Sequence, residues 1–344
     1  MGHVMKKALL AAAAALVLTT ATVTAAMAAA TSASLKVVGR IAGPDGGWDY
    51  ANFDPVHHRL YIAHGTAITA IDVDTGQVTS ALVAAQRAHI ALPLPGGDEI
   101  LVTNGGSDTV TLIDARTGAI RATIATGKNP DAALVDPASG LVFVMNARGG
   151  DVTLIDIKTA KAVGAIPVGG ALEFGVADGK GRVFINVEDK AEIAVIDTRS
   201  RKVVTRWPMA GCEEPSGLAY AADAKLLIAA CANGTAKVVS ATSGKVVASL
   251  AVGEGPDAAF YDAQRHLAYI PSGGDGTLSV IAVRGPSDVA VIGKLATKVG
   301  ARTGTFDPAT GKIYLPSADY DPPIQAGGRR TPKAGSFAVL VVGR

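Results

Sequence analysis

No stretch of this chain carries sustained apolar periodicity near 3.6 residues, so helices are expected to be nearly absent. Cysteine is scarce, with two in 344 residues, and they stand too far apart for a CxxC motif. HExxH, GxSxG and phosphate-loop patterns are missing as well, so none of the short signatures of zinc proteases, serine hydrolases or nucleotide binding applies. Charge of one sign is also lacking: 32 basic residues face 30 acidic ones, for a net charge of +2. Nucleic-acid binding calls for a concentrated basic face. Only Arg329, Arg330 and Lys333 cluster, and a nucleic-acid partner is not expected. Charged residues make up 18% of the chain and apolar ones 49%, enough for a substantial buried core.

What the chain has in place of motifs is repetition. The phrase DVTLIDIKT at 151–159 occurs upstream as DTVTLIDARTG (108–118) and TAITAIDVDTG (66–76). Downstream it returns as AEIAVIDTRS (191–200), TAKVVSATSG (235–244) and GTLSVIAVRG (276–285). The same slot holds Asp72, Asp114, Asp156, Asp197, Ser240 and Ala282, at spacings of 42, 42, 41, 43 and 42. A period near 42 built from short strands suits a four-stranded propeller blade. Each copy holds four runs rich in Val, Ile and Leu, separated by turn compositions. Copies begin near Gly46, Ala88, Asn129, Ala171, Glu214, Gly255 and Ala301, which makes seven. The recurrent Asp stands before a hairpin, where a capping hydrogen bond accounts for it. Asp-Pro pairs at Asp54, Asp136 and Asp307 end the first strand, because proline removes a ladder donor.

The seventh copy stops after its third strand, and the run LKVVGRI at 35–41 supplies a fourth. The expected fold is therefore all-β: a seven-bladed β-propeller with four antiparallel strands per blade, closed by the N-terminal strand on the C-terminal blade so that no sheet edge stays open. Ahead of it, Lys6 and Lys7, an apolar run over 8–18 and Ala26-Met27-Ala28 read as a signal peptide over 1–30. The other reading, a membrane anchor, meets a threonine-rich interruption after Leu18. The expected product is one domain, 31–344, monomeric, periplasmic or secreted, with no membrane span after cleavage.

The phrases LVTN (101–104) and FVMN (143–146), with the recurrent VxVID-xxTGKVxxxIxVGxxP pattern, resemble the YVTN-repeat, YncE-like family of seven-bladed propellers. The resemblance covers nearly all of the chain beyond residue 34 and implies an exported or cell-surface propeller of varied role. Related propellers include lyases, lactonases and quinone-dependent enzymes, so the fold does not choose among functions. The fifth copy departs from the pattern at Ala229 and Ser240. The sixth and seventh replace its Asn by Pro271-Ser272 and Pro316-Ser317.

Comparison among copies separates blade-building residues from the exceptions. The slot that opens each first strand changes chemistry from copy to copy: Asp49, His89, Asp131, Leu172 beside Glu173, Pro215 after Glu213 and Glu214, Asp257 and Arg302. On a propeller these face one axial mouth. The loop after the second strand reaches the same face. It offers His64 where other copies carry Asn104, Asn146 and Asn186, and it adds Arg148, Glu188, Asp319 and Tyr320. A ring of unlike polar groups at a concave mouth suits a ligand. Asp49, His64 and His89 would suit a divalent metal such as Zn, Fe or Ni, or the histidines an acid–base pair. The competing reading makes the aspartates strand caps and the histidines exposed loop residues. Trp48 either stacks on a ligand or packs. His57-His58 and His266 occupy turns on the opposite face. The insertion at 317–335 is either a binding flap or a plain loop.

Cys212 precedes the first strand of copy five and Cys231 ends its second, so in an exported protein a disulfide is expected. Two functions remain open. The first is a binding protein for a small polar ligand, a peptide or a protein partner at the mouth, through Trp48, Asp49, Asp131, Arg148, Glu173, Glu188, Glu213, Asp257 and Tyr320. The second is a lyase or lactonase-like hydrolase using His64 and His89, metal-assisted or as acid and base, with Arg302 holding an anionic group.

Overall fold

The computed structural model describes residues 35–321 and 331–344. The expected signal segment and the middle of the 317–335 insertion lie outside the described residues. Copy three shows how the sequence builds its sheet. Pro130–Val135, Val142–Asn146, Asp151–Asp156 and Lys161–Pro167 pair antiparallel in chain order. The second strand, VFVMN, is buried at every position, whereas the fourth is exposed except at Ile166. Turn chemistry sets the strand ends. Asp136 accepts hydrogen bonds from the Ser139 amide at 3.0 Å and its hydroxyl at 2.7 Å. In the Asp slot, Thr75, Thr117 and Ser200 donate amides to Asp72, Asp114 and Asp197 at 2.7–2.8 Å, and Lys158 donates to Asp156 at 2.9 Å. These local bonds hold each chain reversal without help from the core.

Among the described residues there are five four-stranded antiparallel sheets, one seven-stranded sheet and a two-stranded pair. The helical content is a single 3-10 turn, Glu188–Lys190. No helix there is long and apolar enough to cross a membrane. The seven-stranded sheet departs from the expected plan. The 16-residue strand Val78–Pro93 serves as the outer strand of copy one and the first strand of copy two, so two sheets run together. The cause is visible in VTSALVAAQRAHIALP, which has no glycine and reaches proline only at its last position. The corresponding junctions elsewhere contain breakers, as in Gly127-Lys128-Asn129-Pro130 or Gly253-Glu254-Gly255-Pro256.

Lys36–Ala42 is the outermost strand of the last sheet and pairs antiparallel with Ala338–Gly343, Val37 opposite Val342 and Ile41 opposite Val339. Buried clusters join successive copies. Tyr61 and Ile68 pack with Ala91 and Val102, one large cluster spans copies two to four, and others link four to five, five to six and six to seven. A further cluster sets Trp48, Leu60 and Ile62 of copy one against Tyr314, Phe337 and Val339 of copy seven. The first strands converge so closely that a Cβ on Gly217 would stand 2.4 Å from the Ala258 carbonyl carbon.

Cys212 and Cys231 form a disulfide across copy five, between the segment just ahead of its first strand and the end of its second. Closing a loop of this length stabilises by roughly 3 kcal/mol, chiefly by restricting the unfolded chain. Cys212→Ala/Cys231→Ala is therefore expected to lose about that much in a denaturant titration, with the sheet signal in far-UV circular dichroism unchanged. An unchanged unfolding midpoint would contradict it.

Candidate functional site

The first strands begin at one end of the sheets, and their opening residues are tied across copies through the main chain. The Thr303 hydroxyl donates to the Asp49 carbonyl at 2.9 Å, and the Thr103 hydroxyl to the Asp131 carbonyl at 2.9 Å. The Tyr50 amide donates to the His89 carbonyl at 3.1 Å. Copies seven, one, two and three are thereby stitched together just below the side chains that matter.

Above these ties His89 Nδ1 lies 2.7 Å from Asp49 Oδ2 and 3.1 Å from Asp131 Oδ1. One imidazole nitrogen from copy two thus meets carboxylates from copies one and three. The opposite ring nitrogen, Nε2, is buried and has no hydrogen-bond partner. On the other side of Asp49, Arg302 Nε donates to Asp257 Oδ2 at 2.6 Å and its Nη2 to the Trp48 carbonyl at 3.4 Å.

Electrostatics follow from crowding in a half-buried place. Burial pushes the Glu173 carboxyl up to about 10, helped by Asp131, Asp257, Glu188 and Asp49. Asp131 rises to about 7 because burial and the charges of Asp49 and Asp257 outweigh the pull of His89. Asp257 also rises, through burial and Asp49, although Arg302 pulls it down. Burial disfavours the His89 imidazolium, yet its bond to Asp49 and the charge of Asp131 win, and its pKa is raised. Glu188 is raised by burial and by Glu214, Asp257 and Asp189.

The expected residues divide into groups. Trp48, Asp49, His64, His89, Arg302 and Tyr320 line a single cleft of about 650 Å³. Asp131, Glu173 and Asp257 interact with that cluster electrostatically. Arg148 and Glu213 are exposed and do not line that cleft, while Glu188 sits in the 3-10 turn.

His64 departs from its expected place. Its ring packs edge-on against Phe337 with centroids 4.4 Å apart, and its Nε2 has no partner. Among the described residues the group whose donor atoms lie close enough together to hold a metal ion is Asp49, His89 and Asp131, and His64 is not part of it. The reason is the slot: the loop after the second strand of copy one leans on copy seven, while the first strands of copies one to three lie side by side. Asn104 and Asn146, in the His64 slot of copies two and three, donate to Thr111 and Thr153 hydroxyls at 2.9 Å and hold the blade together. Asn186 donates to the Ser216 carbonyl at 2.9 Å. Tyr50 was not singled out by the sequence, although it follows Asp49. Its ring, 5.2 Å from Phe174, floors the cluster.

A cavity of about 780 Å³ opens at the far end of the same strands. Apolar and aromatic groups such as Phe53, Leu92, Leu134, Phe174 and Tyr220 line it. It reaches up to Tyr50 and contains none of the charged groups above, apart from the turn-capping Asp54.

No family model matches the chain, and no curated protein matches it. Solved structures do resemble it. One is a chain of a mitotic checkpoint complex, with a TM-score of 0.75 at 11% identity, covering 90% of this chain and 92% of that one. Another is a chain of hydrazine synthase from Kuenenia stuttgartiensis, with a TM-score of 0.66 at 17% identity, covering 87% and 99%. At such identities the likeness carries the fold alone. With the antiparallel four-stranded sheets, it defines an all-β, β-propeller-like protein.

Burial lowers the His64 pKa from 6.5 to about 4, against a small opposing effect of Asp45. The unfolded imidazole takes its proton near 6.5 and the folded one only near 4, so the unfolded state binds more protons in between. Stability from this group is complete above 6.5 and falls as pH drops towards 4, by roughly 3 kcal/mol in all. His64→Gln is expected to flatten that acid limb in pH-dependent unfolding. A His64 ring proton titrating near 6.5 by NMR would contradict the assignment.

Proposed function

We propose that the seven copies are the blades of a closed, YVTN-repeat-type propeller that is exported and binds a small cationic ligand at its mouth. Closure is supported by the pairing of Lys36–Ala42 with Ala338–Gly343 and by the cluster between copies seven and one. Export is supported by the leader-like segment and by the disulfide, which suits an oxidising compartment.

One observation carries the choice of ligand. Asp49, Asp131, Glu173, Asp257 and Glu188 crowd one end of the strands against His89 and Arg302, and burial, with repulsion from neighbouring carboxylates added to it, raises the pKa of Asp131, Glu173, Asp257 and Glu188. A cation entering the cleft relieves that repulsion, whereas an anion adds to it. Trp48 supplies an aromatic wall with a buried, unpartnered Nε1 donor. The lyase or hydrolase alternative relies on His64 and His89 as an acid–base pair. His64, held neutral against Phe337 and outside the carboxylate–imidazole set, fits that role less well.

Thermal-shift screening distinguishes the two. Cations, organic (spermidine, glucosamine) or metallic, are expected to raise the melting temperature in a salt-dependent way, and Asp49→Asn to remove the shift. Turnover or stabilisation by uronides or sugar lactones, with no response to any cation, would overturn the reading in favour of the enzyme.

A further inference from the structure

Resting on that reading of the mouth, we propose that Asp49, His89 and Asp131 bind one first-row divalent metal ion of the Zn2+ or Mn2+ type. Their ligand atoms all lie within 4.8 Å of one another, with His89 Nδ1 2.7 Å from Asp49 Oδ2 and 3.1 Å from Asp131 Oδ1. Around a tetrahedral ion with bonds near 2.0–2.1 Å, donor atoms stand roughly 3.3 Å apart. The two nitrogen–oxygen pairs need only spread by tenths of an ångström to reach that separation. Their backbones are already fixed by the Thr303, Thr103 and Tyr50 bonds, so little ordering is left to do. One imidazole and two carboxylates form a mixed nitrogen–oxygen set suited to these ions, whereas Ca2+ prefers six to eight oxygens.

A second observation points the same way. A histidine that binds metal through one ring nitrogen normally donates the other N–H to a carbonyl or carboxylate that fixes its tautomer. His89 Nε2 is buried without a partner, and so is the amide oxygen of Asn129. Both border the position a Cβ on Gly105 would take, at 2.9 and 2.7 Å. With the ion on Nδ1, Nε2 becomes the donor and Asn129 Oδ1 its acceptor, directly or through one water. Gly105 leaves the room: any side chain there would strike both atoms. Three protein ligands leave coordination positions open towards the cleft lined by Trp48 and Arg302, where water or a ligand oxygen completes the shell.

The test uses the full chain, stripped with EDTA and titrated calorimetrically with Zn2+, Mn2+ and Ca2+, with bound metal counted after gel filtration. One Zn2+ or Mn2+ per chain is expected, undisplaced by Ca2+. His89→Gln and Asp131→Asn are expected to weaken binding at least about tenfold, and Asn129→Ala by about tenfold. His58→Ala and His266→Ala, at exposed turns, serve as controls and leave binding unchanged. Should a site variant fail to fold by circular dichroism, Mn2+ broadening of the His89 ring signals in the unsubstituted protein decides the matter. Absence of stoichiometric metal, binding that survives both site variants, or unbroadened His89 signals would overturn the inference. If organic cations then still stabilise the protein, the cationic reading of the mouth stands without the metal. If neither class binds, both fall.

Discussion

The antiparallel pairing of Lys36–Ala42 with Ala338–Gly343 is the contact on which the rest depends. It joins segments from opposite ends of the chain and fills the outer position that the last copy leaves vacant. Without it, the Ala338–Gly343 strand would present an open ladder edge to solvent. Its larger consequence lies elsewhere in the fold. By drawing copy seven against copy one, it sets the Thr303 hydroxyl on the Asp49 carbonyl and the Arg302 guanidinium on the Trp48 carbonyl. The candidate site is assembled from copies seven, one, two and three, and its links between copies seven and one, those of Thr303 and Arg302, lie where the two ends meet.

Convergence of the first strands supplies the second constraint. Strands that approach closely accept only small residues along most of their length, as Gly217 against Ala258 illustrates. Polar side chains therefore gather where the strands begin, and neighbouring copies contribute them to the same small volume. Burial raises the pKa of the carboxyls gathered there, and their charges on one another add to it. That crowding is what the proposed binding of a cation at the mouth rests on. The opposite end has the reverse character: the same strands finish in aromatic and aliphatic groups around an apolar cavity, and Tyr50 with Phe174 divides the two regions.

Much of this was legible in the sequence because repetition acts as an internal comparison. The Asp slot gave the hairpins, the Asp-Pro pairs gave the strand ends, and the surplus run at 35–41 gave the partner for the last sheet. The two cysteines fell on one copy and are bonded. The candidate site was partly legible: residues that break the repeat were found, and six of them line one cleft. Which of them touch was not. Asp131 rather than His64 meets His89, because contact between copies depends on the sideways spacing of first strands, and a linear register does not encode that spacing. Nor did the register reveal that Val78–Pro93 would run through without a turn, a result of the missing breaker between two copies. The apolar cavity also escaped notice, since its lining alternates with core positions and carries no polar signature.

Hydrogen exchange along the two end strands tests the central claim most directly. If the chain closes on itself, amides within Lys36–Ala42 that face Ala338–Gly343 will be protected to a degree comparable with interior ladders such as Val142–Asn146. Protection there will be lost together with that of Ala338–Gly343 as denaturant is added. Rapid exchange of Lys36–Ala42 in a protein whose other sheets remain protected would contradict the account, and with it the joining of Arg302 and Thr303 to the mouth.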